Sequence, residues 1–180
     1  QYGGFTVPSV DLILEPYAEK SYKRNVEKYL RLGIDKDTAE AEGYADVVRE
    51  FEQGFQGWEY KFNTVASSRG DYPFITVTAG TGTGRFAKQA TISMLNVRRR
   101  GQGKKECKKP VLFPKIVFLY DENLHGPGKP LEDVFEAGVQ CSAKTMYPDW
   151  LSLTGKGYVA SIYKQYGEII SPMGCRAFLS

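Results

Sequence analysis

Apolar positions in the first third of the chain follow helical spacing. Residues 13–32 predict one helix, which Gly33 ends, and Pro16 falls in its first turn, where a missing N–H is tolerated. A second helix is predicted to start at a capping box formed by Asp37 and Glu40. Apolar side chains then recur every three or four residues, at Tyr44, Val47, Val48, Phe51, Phe55 and Trp58. This stripe is predicted to pack into the core.

Extended and helical patterns alternate through the rest of the chain. Strands are predicted at residues 74–79, 111–120, 158–163 and 168–170, and helices at residues 86–97 and 131–146. Strands that alternate with helices indicate β-α-β units, because parallel neighbours need a crossover that a helix supplies. The sequence therefore predicts one α/β region over residues 1–180, with a largely parallel sheet and no linker between domains.

Composition leaves this picture unchanged and narrows the class of protein. A chain of 180 residues can bury about 70% of its unfolded surface, so a core forms without disulfides or metals. The net charge of +3 favours neither nucleic acid nor an anionic membrane as a partner. The most apolar stretch, residues 111–120, is too short to span a bilayer.

Three cysteines and one histidine limit the candidate chemistry. Cys107, Cys141 and Cys175 form no CxxC pair, which argues against a disulfide framework or a metal site in this chain. Together with the lack of a membrane-spanning stretch, this favours a reducing, cytoplasmic setting. His125 lies in a turn-forming sequence and is expected at the surface, which disfavours a serine hydrolase. Cys107 is expected to be exposed and incidental.

Two segments could hold an anion. Residues 80–84, Gly-Thr-Gly-Thr-Gly, follow a predicted strand and precede a helix, but lack the Gly-Lys-Ser/Thr ending of a phosphate loop. A flexible turn at the strand end is the favoured interpretation. Residues 98–109 carry seven Lys or Arg and Glu106, a local charge of +6 that could bind nucleotide phosphates. A solvated loop is the favoured interpretation here, since aromatic residues for base stacking are missing.

Two further segments offer reactive or binding groups. One segment follows a predicted helix end and carries an amide, two hydroxyls and a guanidinium, from Asn63, Ser67, Ser68 and Arg69. These groups could bind a sugar or a phosphate. Alternatively, they only cap the helix and form the turn. Cys175 stands in the sequence Met-Gly-Cys-Arg, beside Arg176. Its thiol is either chemically active or a small buried group.

Five segments, taken in order, resemble a known family. They are Gln1-Tyr-Gly-Gly4, Asn63-Thr64 with Ser67-Ser-Arg-Gly70 and Pro73-Phe74, Phe113-Pro114, Tyr147-Pro-Asp149, and Met173-Gly-Cys-Arg176. Their order and spacing are similar to those of the catalytic subunit of oxygen-sensitive, class III ribonucleoside-triphosphate reductases. The Met-Gly-Cys-Arg segment is the most specific of the five.

The resemblance implies a fold and a set of site residues. The fold is a ten-stranded α/β barrel of the glycyl-radical enzyme type, in which Cys175 matches a cysteine carried to the barrel centre on a finger loop. The substrate pocket would be lined by Asn63, Ser67, Ser68, Arg69 and Arg176. In such enzymes a glycyl radical takes hydrogen from this thiol, and the thiyl radical takes the 3′ hydrogen of a ribonucleotide. The 2′ hydroxyl then leaves as water, and formate or a thiol system supplies the reduction.

The resemblance also implies partners. They are a ribonucleoside triphosphate substrate, a radical S-adenosylmethionine activating enzyme and a second copy in a homodimer, without membrane or nucleic acid. The family's glycyl-radical loop, zinc-binding cysteine cluster and second active-site cysteine do not occur in this sequence.

Ten strands require about 300 residues, so the sequence is expected to be an internal fragment that is inactive alone. The alternatives are a non-catalytic nucleotide-binding module that uses residues 80–84 and 98–109, or a different glycyl-radical enzyme.

Overall fold

Strands and helices alternate along the chain. The computed structural model describes residues 4–65, 70, 72, 74–167, 169 and 171–172. In chain order the elements are β1 Gly4–Val7, α1 Val10–Arg31, α2 Lys36–Thr64, β2 Phe74–Ala79, α3 Arg85–Arg100, β3 Lys115–Tyr120, α4 Glu132–Thr145, β4 Asp149–Ser152 and α5 Tyr158–Tyr166. This order confirms the predicted α/β class.

The four strands form one parallel sheet in the order β1-β2-β3-β4. Thr6 pairs with Thr76, Thr76 with Lys115, and Val117 with Asp149. At least one helix lies between each strand and the next along the chain, as parallel pairing requires. The prediction of a largely parallel sheet is confirmed for these strands.

The hydrophobic core lies on one face of the sheet. Alternate residues of the central strands, such as Val77, Ile116 and Phe118, pack against side chains from α1, α2, α3 and α4. The apolar stripe of α2 takes part as predicted, with Val47 and Phe55 buried. Helices α1 to α4 therefore cover this face.

Both early helices begin elsewhere than predicted. Helix α2 starts at Lys36 because Asp35 is its N-cap, and the Asp35 side chain accepts a hydrogen bond from the Thr38 backbone N–H at 3.0 Å. The predicted capping box of Asp37 and Glu40 is therefore wrong. Helix α1 starts at Val10, which places Pro16 inside the helix instead of in its first turn.

The predicted strand at residues 158–163 is wrong, since this segment forms helix α5. Tyrosine and β-branched residues suggested a strand, but Gly157 precedes the helix and Gly167, with φ 70°, ends it in the left-handed conformation. The strand predicted at 111–120 is confirmed only from Lys115 onward. Of the strand predicted at 168–170, residues 168 and 170 lie outside the described residues.

Candidate active-site face of the sheet

The face of the sheet opposite the core carries polar side chains. We call it the polar face and define it by Thr6, Thr76, Thr78, Lys115 and Asp149, which alternate with the core-facing residues. Strands of parallel sheets are ordinarily apolar on both faces, because both faces are covered. A hydroxyl, a second hydroxyl and an ammonium side by side on three neighbouring strands are therefore unusual and mark this face as the candidate site.

Charge on the polar face is paired. The Lys115 ammonium lies 2.7 Å from Asp149 Oδ2, and the Lys115 side chain is only 16% exposed. The pair joins β3 to β4 near their amino ends. Among the described residues of this face, Val117 and Leu119 of β3 are apolar and buried, so the face combines one ion pair with hydroxyl and apolar side chains.

The last described residues lie across the polar face. Thr6 Oγ1 donates to the carbonyl oxygen of Pro172 at 2.9 Å, and Thr78 Oγ1 lies 3.3 Å from Ser171 Oγ. Pro172 is buried. Residues 171–172 are thus held against this face, and residues 173–180, which include the predicted site residues Cys175 and Arg176, lie outside the described residues.

The Asn63 side chain connects the end of α2 to the backbone just before β3 by hydrogen bonds. Its Nδ2 donates to the carbonyl oxygens of Glu59 and Phe113, both at 2.7 Å, while its Oδ1 accepts from the N–H groups of Leu112 and Phe113 at 3.4 and 3.2 Å. All four hydrogen-bonding positions of the amide are therefore filled by main chain. The other residues predicted with it, at 67–69, lie outside the described residues.

The glycine-rich loop at residues 80–84 is filled by a carboxylate from the chain itself. Asp11 is fully buried, and its Oδ2 accepts from the N–H groups of Gly80 and Gly82, each at 3.0 Å. A Cβ on Gly82 would lie 2.5 Å from the Ala87 Cβ, so the close approach to α3 requires glycine. These are the amides that a phosphate would need, which argues against a phosphate loop.

The expectation that His125 is a surface residue is wrong. The ring is 2% exposed and lies among aromatic side chains, including Phe118 and Tyr120. Its Nε2 lies 2.8 Å from the Gly80 carbonyl oxygen, which can only accept, so Nε2 carries the proton and Nδ1 accepts from the Asp121 N–H at 3.0 Å. His125 therefore links the loops that follow β2 and β3.

The basic stretch at residues 98–109 is divided between a helix and a loop. Residues 98–100 end α3, and Arg98 is fully buried against Glu59, which corrects the expectation of a solvated loop for this part. Residues 103–109 are exposed as expected, and Cys107 lies among them. Cys141 is buried in the core, and burial raises the pKa of its thiol.

Replacing Asp11 with alanine is expected to lower the free energy of unfolding by about 3 kcal/mol, because two hydrogen bonds from buried amides to a charged acceptor are lost. Asp11→Asn should cost less, since one acceptor oxygen remains. Asp37, in the first turn of α2 and exposed, is the matched control and should cost under about 1 kcal/mol as alanine. Urea denaturation followed by tryptophan fluorescence measures all three. Equal effects for Asp11→Ala and Asp37→Ala would contradict the role of Asp11 as the anion of the loop.

Comparison with known proteins identifies the family. Residues 1–180 match the family model described as anaerobic ribonucleoside-triphosphate reductase. The chain belongs to this family. The family resemblance of the five sequence segments is thereby confirmed.

Relatives of the same name show how much of such a reductase this chain represents. It is 37% identical to the protein of Haemophilus influenzae and 34% identical to that of Escherichia coli, in each case over 99% of this chain and 24% of the relative. It is 35% identical to the protein of Enterobacteria phage T4, over 100% of this chain and 29% of the relative. The chain therefore spans about a quarter of the length of these reductases.

The described part of the chain contains neither a membrane-spanning helix nor a cluster of metal-binding side chains. Across residues 4–65 and 74–167 and the few described residues beyond them, no helix is long and apolar enough to cross a membrane. Within the same part of the chain, no group of three or more His, Cys, Asp or Glu side chains is placed to hold a metal ion.

The polar face itself was missed by the sequence analysis. The alternation of Thr76 and Thr78 with apolar residues in β2 was a usable signal for it. Thr6 and Asp149 gave no such signal, because each lies in a strand of only four residues.

Proposed function

We propose that residues 1–180 form part of the catalytic barrel of an anaerobic ribonucleoside-triphosphate reductase, and that the polar face lines the interior of this barrel. The observation that carries the proposal is the anchoring of residues 171–172 to Thr6 and Thr78, in a chain of this family. Cys175 follows Pro172 by three residues. The proposal therefore assigns Cys175 to the polar side of the sheet.

The sheet supports a barrel of more strands than the four described. Its strands stand in chain order, all parallel, with helices α1 to α4 packed on one side, as in a closed barrel with helices outside. Strands β1 and β4 are the edges of this sheet. In the proposed ten-stranded barrel, strands from the rest of a reductase of family length pair with these edges.

The proposed reaction is hydrogen-atom chemistry at Cys175. A glycyl radical elsewhere in the full-length reductase supplies the acceptor for the hydrogen atom of the Cys175 thiol. The resulting Cys175 thiyl takes the 3′ hydrogen atom of the ribonucleotide, and the 2′ hydroxyl leaves with a proton as water. Formate, which becomes carbon dioxide, or a thiol pair, which becomes a disulfide, supplies two electrons, and C2′ gains a hydrogen. Cys175 then returns the hydrogen atom to C3′, and the radical returns to the glycine. The sulfur must lie within about 3.5 Å of the atoms with which it exchanges hydrogen, so its loop must be positioned closely.

The remaining parts of the proposal concern substrate and partners. Ser67, Ser68, Arg69 and Arg176 are proposed to contact the ribonucleoside triphosphate. Asn63 is proposed to hold the beginning of the 66–69 segment, because its amide is bound to main chain at the end of α2. A radical S-adenosylmethionine activating enzyme, a homodimer, a cytoplasmic setting and zinc bound in another part of the reductase complete the proposal.

The nucleotide-binding module is disfavoured by the described contacts. Asp11 occupies the amides of the 80–84 loop, and Arg98 is buried in an ion pair, so two of the groups assigned to phosphate binding are engaged within the chain.

The test of the proposal is product formation by the full-length protein. After anaerobic activation by its activating enzyme, the protein is expected to convert ribonucleoside triphosphates to deoxyribonucleoside triphosphates, measured by chromatography. The same preparation exposed to air before the assay is the control and should form no product. A preparation with a verified glycyl-radical signal that forms no deoxyribonucleotide would contradict the proposal.

A further inference from the structure

We propose that Thr6 and Thr78 are positioning residues, which anchor the chain leading to Cys175 and so set the place of its sulfur. The inference rests on the proposed function, because it assigns these hydroxyls to the loop of the reactive cysteine. Neither residue is proposed to touch the substrate. Their role is to hold residues 171–172 against the polar face.

Thr6 makes the more direct of the two contacts. Its hydroxyl donates to the carbonyl oxygen of Pro172, across 166 positions of sequence. Proline has no N–H of its own with which to join a ladder, so its carbonyl is the polar main-chain group that residue 172 can offer the sheet. The Thr6 hydroxyl, on the edge strand β1, can donate a hydrogen bond to this carbonyl oxygen.

Thr78 joins three parts of the chain at one oxygen atom. It is fully buried, it accepts from the Ser9 N–H at 2.8 Å, and it lies 3.3 Å from Ser171 Oγ. Because the Ser9 contact uses a lone pair, the Thr78 hydroxyl proton is free to point toward Ser171. Thr78 therefore ties the loop before α1 and the segment before Cys175 to the same strand.

The two anchors fix the direction of the segment as well as its place. Thr6 is level with Thr76 in the sheet, and Thr78 is two positions further toward the carboxyl end of β2. The segment therefore passes from Ser171 to Pro172 toward the amino ends of the strands. Three further residues lead to Cys175, and that length of chain spans at most about 11 Å.

Threonine is also a good strand former, which gives these residues a simpler interpretation. Valine separates the two interpretations, because it keeps the branched shape and the strand propensity of threonine but has no hydroxyl. Serine is the converse control, because it keeps the hydroxyl. Ser171→Ala removes the partner of Thr78 without disturbing the contact of Thr78 with Ser9.

The experiment compares Thr6→Val, Thr6→Ser, Ser171→Ala and the double variant Thr6→Val/Ser171→Ala in the full-length activated reductase. We expect the double variant to lower kcat by about 10- to 100-fold, as for a reacting group misplaced by about 1 Å, with KM unchanged. The glycyl radical measured by electron paramagnetic resonance should stay at the wild-type level. Thr6→Ser should keep wild-type kcat.

A second readout does not depend on turnover. In the radical-free enzyme, alkylation by iodoacetamide is followed by peptide mass spectrometry. The double variant is expected to change the rate at Cys175 severalfold, while the rate at the exposed Cys107 stays constant. Cys107 thus serves as an internal control for reagent and folding.

Three outcomes would overturn the inference. They are a kcat within twofold of wild type in the double variant, a loss of radical content in proportion to kcat, and a loss of activity in Thr6→Ser equal to that in Thr6→Val. Cys175→Ala is measured alongside. If it retains activity, the proposed function fails; if it is inactive while the double variant is fully active, the proposed function stands and only the anchoring role fails.

Discussion

Replacing Cys175 with alanine in the full-length reductase is expected to abolish deoxyribonucleotide formation, a loss of at least about 10³-fold, because the group proposed to perform a step of the reaction is removed. Alanine has no sulfur-bound hydrogen to give up and cannot take the 3′ hydrogen of the substrate. In the proposed mechanism activation precedes the role of Cys175, so the glycyl-radical signal should form at the wild-type level. Product chromatography and electron paramagnetic resonance measure the two effects separately.

Cys107→Ala is the matched control for Cys175→Ala. The Cys107 thiol is exposed in the loop after α3, and its loss should leave turnover unchanged. Cys141 cannot replace Cys175, because it is fully buried in the core beneath the opposite face of the sheet. If Cys107→Ala lowered turnover as much as Cys175→Ala, the assignment of the reactive thiol would be wrong.

The elements that the sequence predicted well are those with many periodic positions. Helix α2 repeats its apolar spacing over several turns, and β2 combines β-branched residues with a run of glycines at its end. Strands β1 and β4 have four residues each, which is too few for alternation to stand out. They are fixed by pairing with β2 and β3, and this pairing cannot be predicted from the local sequence.

The burial of two polar residues was also predicted wrongly from the sequence. His125 and Arg98 both looked like surface residues, one in a turn and the other in a basic run. Each has a hydrogen-bond partner that is distant in sequence: Gly80 lies 45 positions from His125, and Glu59 lies 39 positions from Arg98. Such partners become visible only when the fold brings the two segments together.

The candidate reactive and substrate-binding residues could be predicted from motif resemblance, whereas the residues of the sheet beneath them could not. Cys175 and the 67–69 segment were found from the order of short motifs. Thr6, Thr78 and the Lys115–Asp149 pair belong to no such motif, and they share a face only because the strands pair in one register. The polar face is therefore a property of the assembled sheet.

The buried ion pair of Arg98 and Glu59 should have the largest effect on stability. Arg98 Nε donates to Glu59 Oε1 at 2.6 Å, and both side chains are almost fully buried. Arg98→Met is expected to lower the free energy of unfolding by about 3–5 kcal/mol, because Glu59 is left as a buried charge without its cation. The double variant Arg98→Met/Glu59→Leu should recover most of this loss, since no buried charge remains. Urea denaturation followed by tryptophan fluorescence measures each variant.

Arg100 and Glu52 form the matched control pair. They also join α3 to α2, at 2.7 Å, but both side chains are partly exposed, so Arg100→Met should cost no more than about 1 kcal/mol. A loss for Arg98→Met as small as for Arg100→Met would contradict the burial argument. So would a double variant as unstable as the single one.

The same ion pair supports the polar face from the core side of the sheet. Arg98 also donates to the Pro114 carbonyl oxygen at 2.7 Å, and its guanidinium lies 5.0 Å from the centre of the Tyr147 ring. Pro114 directly precedes β3 and Tyr147 lies two residues before β4. Arg98 therefore fixes the amino ends of the two strands that carry Lys115 and Asp149. We accordingly expect Arg98→Met to lower turnover in the full-length reductase at temperatures where the protein is still folded, whereas Arg100→Met should leave turnover unchanged.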